Sequence, residues 1–100
     1  MTNPLTQTQK FTNSHYNRAI IHEKLGHYHQ AITNYNKAIE LDPTFAVAYY
    51  NRGITHEHLG DFEWAIKDFE KYLELSPDAF ERESLLASIE ELKQKLSLSD

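Results

Sequence analysis

Displaced by 34 residues, the chain falls back onto itself. Of the 30 positions from Ser14 to Pro43, 14 meet an identical residue, where ordinary residue usage would give about two. Tyr16-Asn17-Arg18 falls on Tyr50-Asn51-Arg52, His22-Glu23 on His56-Glu57, Leu25-Gly26 on Leu59-Gly60, Ala31-Ile32 on Ala65-Ile66, and Pro43 on Pro77. Several mismatches keep the residue type: Ala19/Gly53, Tyr28/Phe62, Tyr35/Phe69 and Ile39/Leu73. A period of this length means one supersecondary unit used twice, each copy burying its apolar face against the next.

Within the unit the apolar residues recur at three- and four-residue spacing, so it is built of helices. The pattern predicts a helix from about Asn13 to Leu25, stopped by Gly26, and a second from about Tyr28 to Leu41, before Asp42-Pro43. Glycine is a C-terminal stop signal, and proline cannot continue a helix interior. The second unit repeats the plan, with helices from about Val47 to Leu59 and Phe62 to Leu75, a turn at Gly60-Asp61, and then Ser76-Pro77. Asp42 and Ser76 are candidate caps for the helices that follow them. A fifth helix is expected from about Asp78 to Leu96, with Phe80, Leu85, Leu86, Ile89, Leu92 and Leu96 as its apolar residues. Leu85, Ile89, Leu92 and Leu96 are spaced 4, 3, 4 and share a face, opposite Glu83, Glu90, Lys93, Gln94 and Asp100. Such a helix suits the exposed flank of a final repeat, the rival use being dimerisation through the same leucines. Residues 1–11 are polar with one proline. They read as a flexible tail, or a lead-in that packs Phe11 on the first helix.

A 34-residue helix–turn–helix resembles the tetratricopeptide repeat. The carrying residues are Tyr49, Arg52, Gly53, His56, Ala65, Phe69 and Pro77 in one unit, and His15, Arg18, Ala19, His22, Ala31, Tyr35 and Pro43 in the other. The resemblance implies an all-α, right-handed helical-hairpin solenoid of about five antiparallel helices. It divides the chain into a tail (1–11), two repeats (12–45 and 46–79) and a C-terminal capping helix with its tail (80–100). Arg18 and Arg52 stand where the family most often has leucine, and His22 and His56 where it most often has tyrosine. Both histidines are expected to be largely buried. Both arginines are expected between helices, each guanidinium paired with a carboxylate or a helix-end carbonyl.

Composition narrows the function. With no cysteine there are no disulfides, thiolate zinc sites or cysteine nucleophile. No run of 18 apolar residues spans a membrane, and the N-terminus lacks a signal-peptide stretch, so a cytoplasmic address is expected. The net charge of −5 is uneven: residues 1–45 carry four basic and three acidic groups (+1), residues 46–100 six and twelve (−6). No basic stripe is present to neutralise phosphates, which argues against nucleic-acid binding.

Catalytic constellations are not visible. His22-Glu23-Lys24-Leu25-Gly26 and His56-Glu57-His58-Leu59-Gly60 begin like the zinc-protease helix, but glycine stands both times where the second histidine is required. The six histidines leave a histidine-based metal carrier as a remote alternative, and no metal or cofactor is assigned. The serines show no glycine-flanked elbow, and three glycines cannot make a phosphate-cradling loop. The expectation is therefore not an enzyme but a protein–protein interaction module or adaptor.

Stacked hairpins form a concave side, which the resemblance assigns to the first helix of each unit. The stripe implied to face it runs through Asn13, Tyr16, Ile20 and Glu23, with Asn17 and Lys24 beside it. Its counterpart is Val47, Tyr50, Ile54 and Glu57, with Asn51 and His58 adjacent. Aromatics beside amides suit recognition of a peptide backbone and apolar side chains. The expected partner is a protein or peptide, a self-assembling module being the alternative. Receptors of this fold that clamp a terminal carboxylate use lysine, asparagine and arginine. Here Asn51 matches the asparagine, but Tyr16, Ile20, Glu81 and Leu85 supply no positive charge, which disfavours that subtype. Repeats reading Tyr-Asn-Arg and then a small residue are similar to those of many bacterial proteins.

Overall fold

The computed structural model describes residues 4–98. They form five α-helices: α1 (Gln7–Lys24), α2 (Tyr28–Leu41), α3 (Ala46–His58), α4 (Phe62–Leu75) and α5 (Arg82–Leu98). Each helix packs on its neighbour in sequence, and α1 also touches α3. The result is an elongated stack of 51 × 31 × 19 Å, as hairpins laid side by side require.

The two hairpin turns are closed the same way. Gly26 and Gly60 both adopt φ of 78°, the left-handed region that favours glycine. The N–H of His27 then reaches the carbonyl of His22 at 2.8 Å, and that of Asp61 reaches His56 at 2.9 Å. These bonds satisfy carbonyls that the helix ends would otherwise leave open.

α1 starts six residues earlier than the apolar periodicity indicates. Thr6 accepts from the Gln9 N–H at 3.0 Å, and the Gln9 side chain accepts from the Thr6 N–H at 2.8 Å, a reciprocal capping box. Residues 7–11, assigned from sequence to a tail, are therefore helical, and Phe11 is half exposed instead of packed away. Residues 1–3 of that tail, and Asp100, which the periodicity sets opposite the leucine stripe, lie outside the described residues.

Two further expectations change. Asp42 does not cap α3; its Oδ1 accepts from the Thr44 N–H at 3.1 Å and hydroxyl at 2.7 Å, shaping the loop, and α3 starts at Ala46 without a side-chain cap. Ser76 likewise closes the end of α4. The chain then turns through residues 77–81, so α5 begins at Arg82 and Phe80, caught in the turn, is fully exposed.

The core follows the repeat. Ala19, Ala31, Tyr35 and Ala48 form one buried cluster, with Tyr16, Ile20, Ile39 and Phe45 packed against it. Ala65, Ile66, Phe69, Leu73, Leu85, Ile89 and Leu92 form the other. The α5 leucine stripe thus packs within the chain, with Leu85, Ile89 and Leu92 buried in the α4 cluster and Leu96 partly buried against it. Each buried leucine, isoleucine or phenylalanine among them stabilises by about 1.5–3 kcal/mol.

The arginines part company. Arg52 is half-buried and pairs with Asp68, as expected, whereas Arg18 is exposed. The position equivalent to Asp68 is Asn34, so the first unit offers Arg18 no carboxylate. His56 is largely buried, its side chain 12% exposed, between Asp61 and Asp68. His22 lies in the same partly buried range as His56, its Nδ1 shielded from solvent.

Candidate functional site

The two candidate stripes lie on α1 and α3, and the structure joins them at one point. The Asn51 side-chain N–H donates to the Tyr16 hydroxyl at 2.7 Å. Tyr16 is half-buried, its ring 5.0 Å from Phe45 and 6.0 Å from Tyr35. Burial pushes its hydroxyl pKa up, against the opposing effect of the Asn51 bond and with some help from the Glu23 charge. The Tyr35 hydroxyl donates to Glu23 Oε1 at 2.5 Å. Burial, and then the bond to Glu23, hold that hydroxyl protonated far above the usual tyrosine range. Two separate side-chain bonds therefore tie α1 to its neighbours: Asn51 of α3 to Tyr16, and Tyr35 of α2 to Glu23.

In the second unit Tyr50 is half-buried, its ring 5.8 Å from Phe69 and 5.1 Å from Tyr72. The Tyr72 hydroxyl donates to Glu81, and this bond pushes its pKa up to about 12. Ile20 and Ile54 are also half-buried, each packed against its core cluster. These residues form a partly apolar patch in which each aromatic touches at least one other ring.

The rest of the stripe is more open. Asn13, Asn17, Lys24, Val47, Glu57 and His58 are exposed. Asn13 lines a shallow cleft of about 200 Å³ with Leu5, Gln9 and Phe45. Glu57 and His58 line another of about 430 Å³ with Phe62 and Lys95. His58 stacks on Tyr28 of α2, ring centroids 4.9 Å apart and planes within 4°.

A cleft the sequence reading did not single out lies at the seam of the repeats. It measures about 390 Å³ and is lined by Ile32, Asn36, Ile39, Glu40, Arg52, His56 and Trp64. Trp64 is 55% exposed, and Lys67 Nζ sits 4.7 Å from its ring centre. The available signal was the single tryptophan, standing on an otherwise polar face where the first unit has Gln30.

Among the described residues no three histidine or acidic side chains converge to hold a metal ion. No described helix is long and apolar enough to cross a membrane.

Family comparison agrees with the helical repeat. A model described as TPR repeat matches residues 24–60, and one described as tetratricopeptide repeat matches residues 46–79. The fold is similar to the first TPR of Spaghetti (RPAP3) bound to the HSP90 peptide SRMEEVD, with a TM-score of 0.76 and 30% identity. That likeness covers 86% of this chain and 66% of the other. It is also similar to the second TPR domain of human RPAP3 in complex with the HSP70 peptide SGPTIEEVD, with a TM-score of 0.71, 28% identity, and coverage of 82% and 66%. No curated protein matches the chain.

Proposed function

Because the chain belongs to the tetratricopeptide repeat family, we propose that it is a non-catalytic adaptor holding a partner's peptide segment or helix against the face formed by α1 and α3. The observation that carries this reading is the Asn51–Tyr16 bond. It fixes an amide and two tyrosine-bearing stripes into one continuous floor, while Asn51 keeps an acceptor oxygen and one N–H for a ligand. Rigid aromatics flanked by amides lose little entropy on binding. Similar folds bound to peptides support the same reading.

The peptides in those structures carry acidic ends. This face instead presents Glu23 and Glu57 beside the exposed Lys24 and His58, with Glu81 held by Tyr72. Charge complementarity therefore favours a neutral or basic segment. Two repeats make a short floor, so the affinity of the isolated module is expected in the micromolar range.

Panning a random nine-residue peptide library on the purified chain tests the proposal. A selected peptide should bind about tenfold more weakly to Tyr50→Ala and unchanged to Glu63→Lys, with both variants retaining wild-type helicity. Glu63 is exposed on α4. The reverse pattern would move the site to the outer surface.

A further inference from the structure

Resting on that groove reading, we propose that Glu23 is the seat for one cationic side chain, lysine or arginine, of the bound segment. Glu23 is half-buried at the C-terminal end of α1. Its Oε1 is fixed by the Tyr35 hydroxyl at 2.5 Å. No basic side chain forms an ion pair with it among the described residues, although Arg52, Lys71 and Lys93 each pair with a carboxylate elsewhere. A partly desolvated carboxylate that has one neutral donor and no counter-ion is poised for an N–H donor carrying positive charge. The Asn51 oxygen adds an acceptor across the floor, because its amide is oriented by the N–H given to Tyr16. Glu23 stands seven residues, about two helical turns, beyond Tyr16 on α1, so the two share a face of that helix.

The two units differ here by one oxygen atom. Tyr35 of the first unit is Phe69 in the second, so Glu57, the counterpart of Glu23, has no hydroxyl to hold it and is exposed. A carboxylate held in place loses less freedom on binding than one swinging in water. The first unit thus supplies the fixed charge, and Tyr35 acts as a positioning residue behind it. Phe69 shows that the fold accepts phenylalanine at this position.

The same random nine-residue library, panned in parallel on the wild type and on Glu23→Gln, tests the assignment. The wild type should select lysine or arginine at one fixed position. A selected peptide should bind about tenfold more tightly than its version with glutamine in place of that basic residue, as expected for a single charge-assisted bond. Glu23→Gln should bind the two peptides within about twofold of each other. Tyr35→Phe should give an intermediate ratio. Wild-type selection without a basic residue, or the same tenfold ratio in Glu23→Gln, would overturn the cation seat, while weakened binding to Tyr50→Ala would still uphold the groove. If no peptide is selected by the wild type, both the groove reading and the seat are wrong.

Discussion

Arg52 and Asp68 meet fork to fork, Nη2 to Oδ1 at 2.7 Å and Nε to Oδ2 at 2.8 Å. The third nitrogen of the same guanidinium donates to Asn36 at 2.8 Å. One side chain on α3 thereby ties α4 of its own hairpin to α2 of the preceding one. Asp68 is 3% exposed, so its charge depends on this partner.

Breaking the pair from the Asp68 side should be costly. Asp68→Ala strips the half-buried Arg52 guanidinium of its charge partner and of two hydrogen bonds and should lower stability by about 2 kcal/mol. For a domain stabilised by only about 5–15 kcal/mol, that is a large fraction. Asp68→Asn keeps one acceptor and should cost roughly half as much. Arg18→Ala, at an exposed position without a carboxylate, should stay within about 0.5 kcal/mol. Urea denaturation of the three variants checks the order.

Gly53 of α3 packs directly against Phe69 and Asp68 of α4. A methyl group there would lie 2.7 Å from Cε1 and 2.9 Å from Cδ1 of Phe69, and 3.2 Å from Cβ of Asp68. Phe69 is 2% exposed and has little room to retreat. Overpacking of this kind costs about 1–3 kcal/mol, against about 1 kcal/mol gained from helix propensity. Gly53→Ala should therefore destabilise by about 1 kcal/mol, read as a lower urea midpoint at unchanged slope.

Acid should weaken the fold through His56. Burial lowers its pKa, outweighing the opposing pull of Asp68, while Arg52 lowers it further and Asp61 raises it. The folded state thus disfavours the imidazolium relative to the unfolded chain. The contribution is complete above the unfolded value of about 6.5 and is lost as pH falls below it through the lower folded value. His56→Tyr, the residue type expected at this position in the family, should fold and flatten the decline. Urea midpoints between pH 7.5 and 5 measure it; an unchanged profile would argue against this role.

The Asn51–Tyr16 bond makes Asn51 structural as well as a candidate contact. Asn51→Ala should cost about 1 kcal/mol, and a double-mutant cycle with Tyr16→Phe should return most of that as coupling. Full additivity of the two substitutions in thermal or urea melts would mean that the bond contributes nothing.

What could be read before folding follows from which forces are local. Gly26, Gly60, Pro43 and Pro77 punctuate the chain, so α2 and α4 fall where the pattern puts them. The start of α1 escaped because Thr6 and Gln9 build their cap from polar residues that carry no apolar period. Arg18 and Arg52 are the same letter in the same register, yet only one has a carboxylate opposite, 16 residues on. Their divergence was readable from Asn34 and Asp68 once the pairing was known. The Tyr16–Asn51 and Tyr35–Glu23 bonds depend on inter-helix register, which no local pattern specifies. The Trp64 cleft arises only when α2 and α4 pack on α3 from different sides, which sets Ile32 and Ile39 across from Trp64.

The central claim, that α1 and α3 present the partner-binding face, is tested most directly by amide NMR of the chain titrated with a library-selected peptide. The largest shifts are expected at Tyr16, Ile20, Tyr50, Asn51 and Ile54, with Ile32, Asn36 and Trp64 unmoved. Shifts centred on Trp64 and the seam cleft, with the α1 and α3 stripes silent, would contradict it.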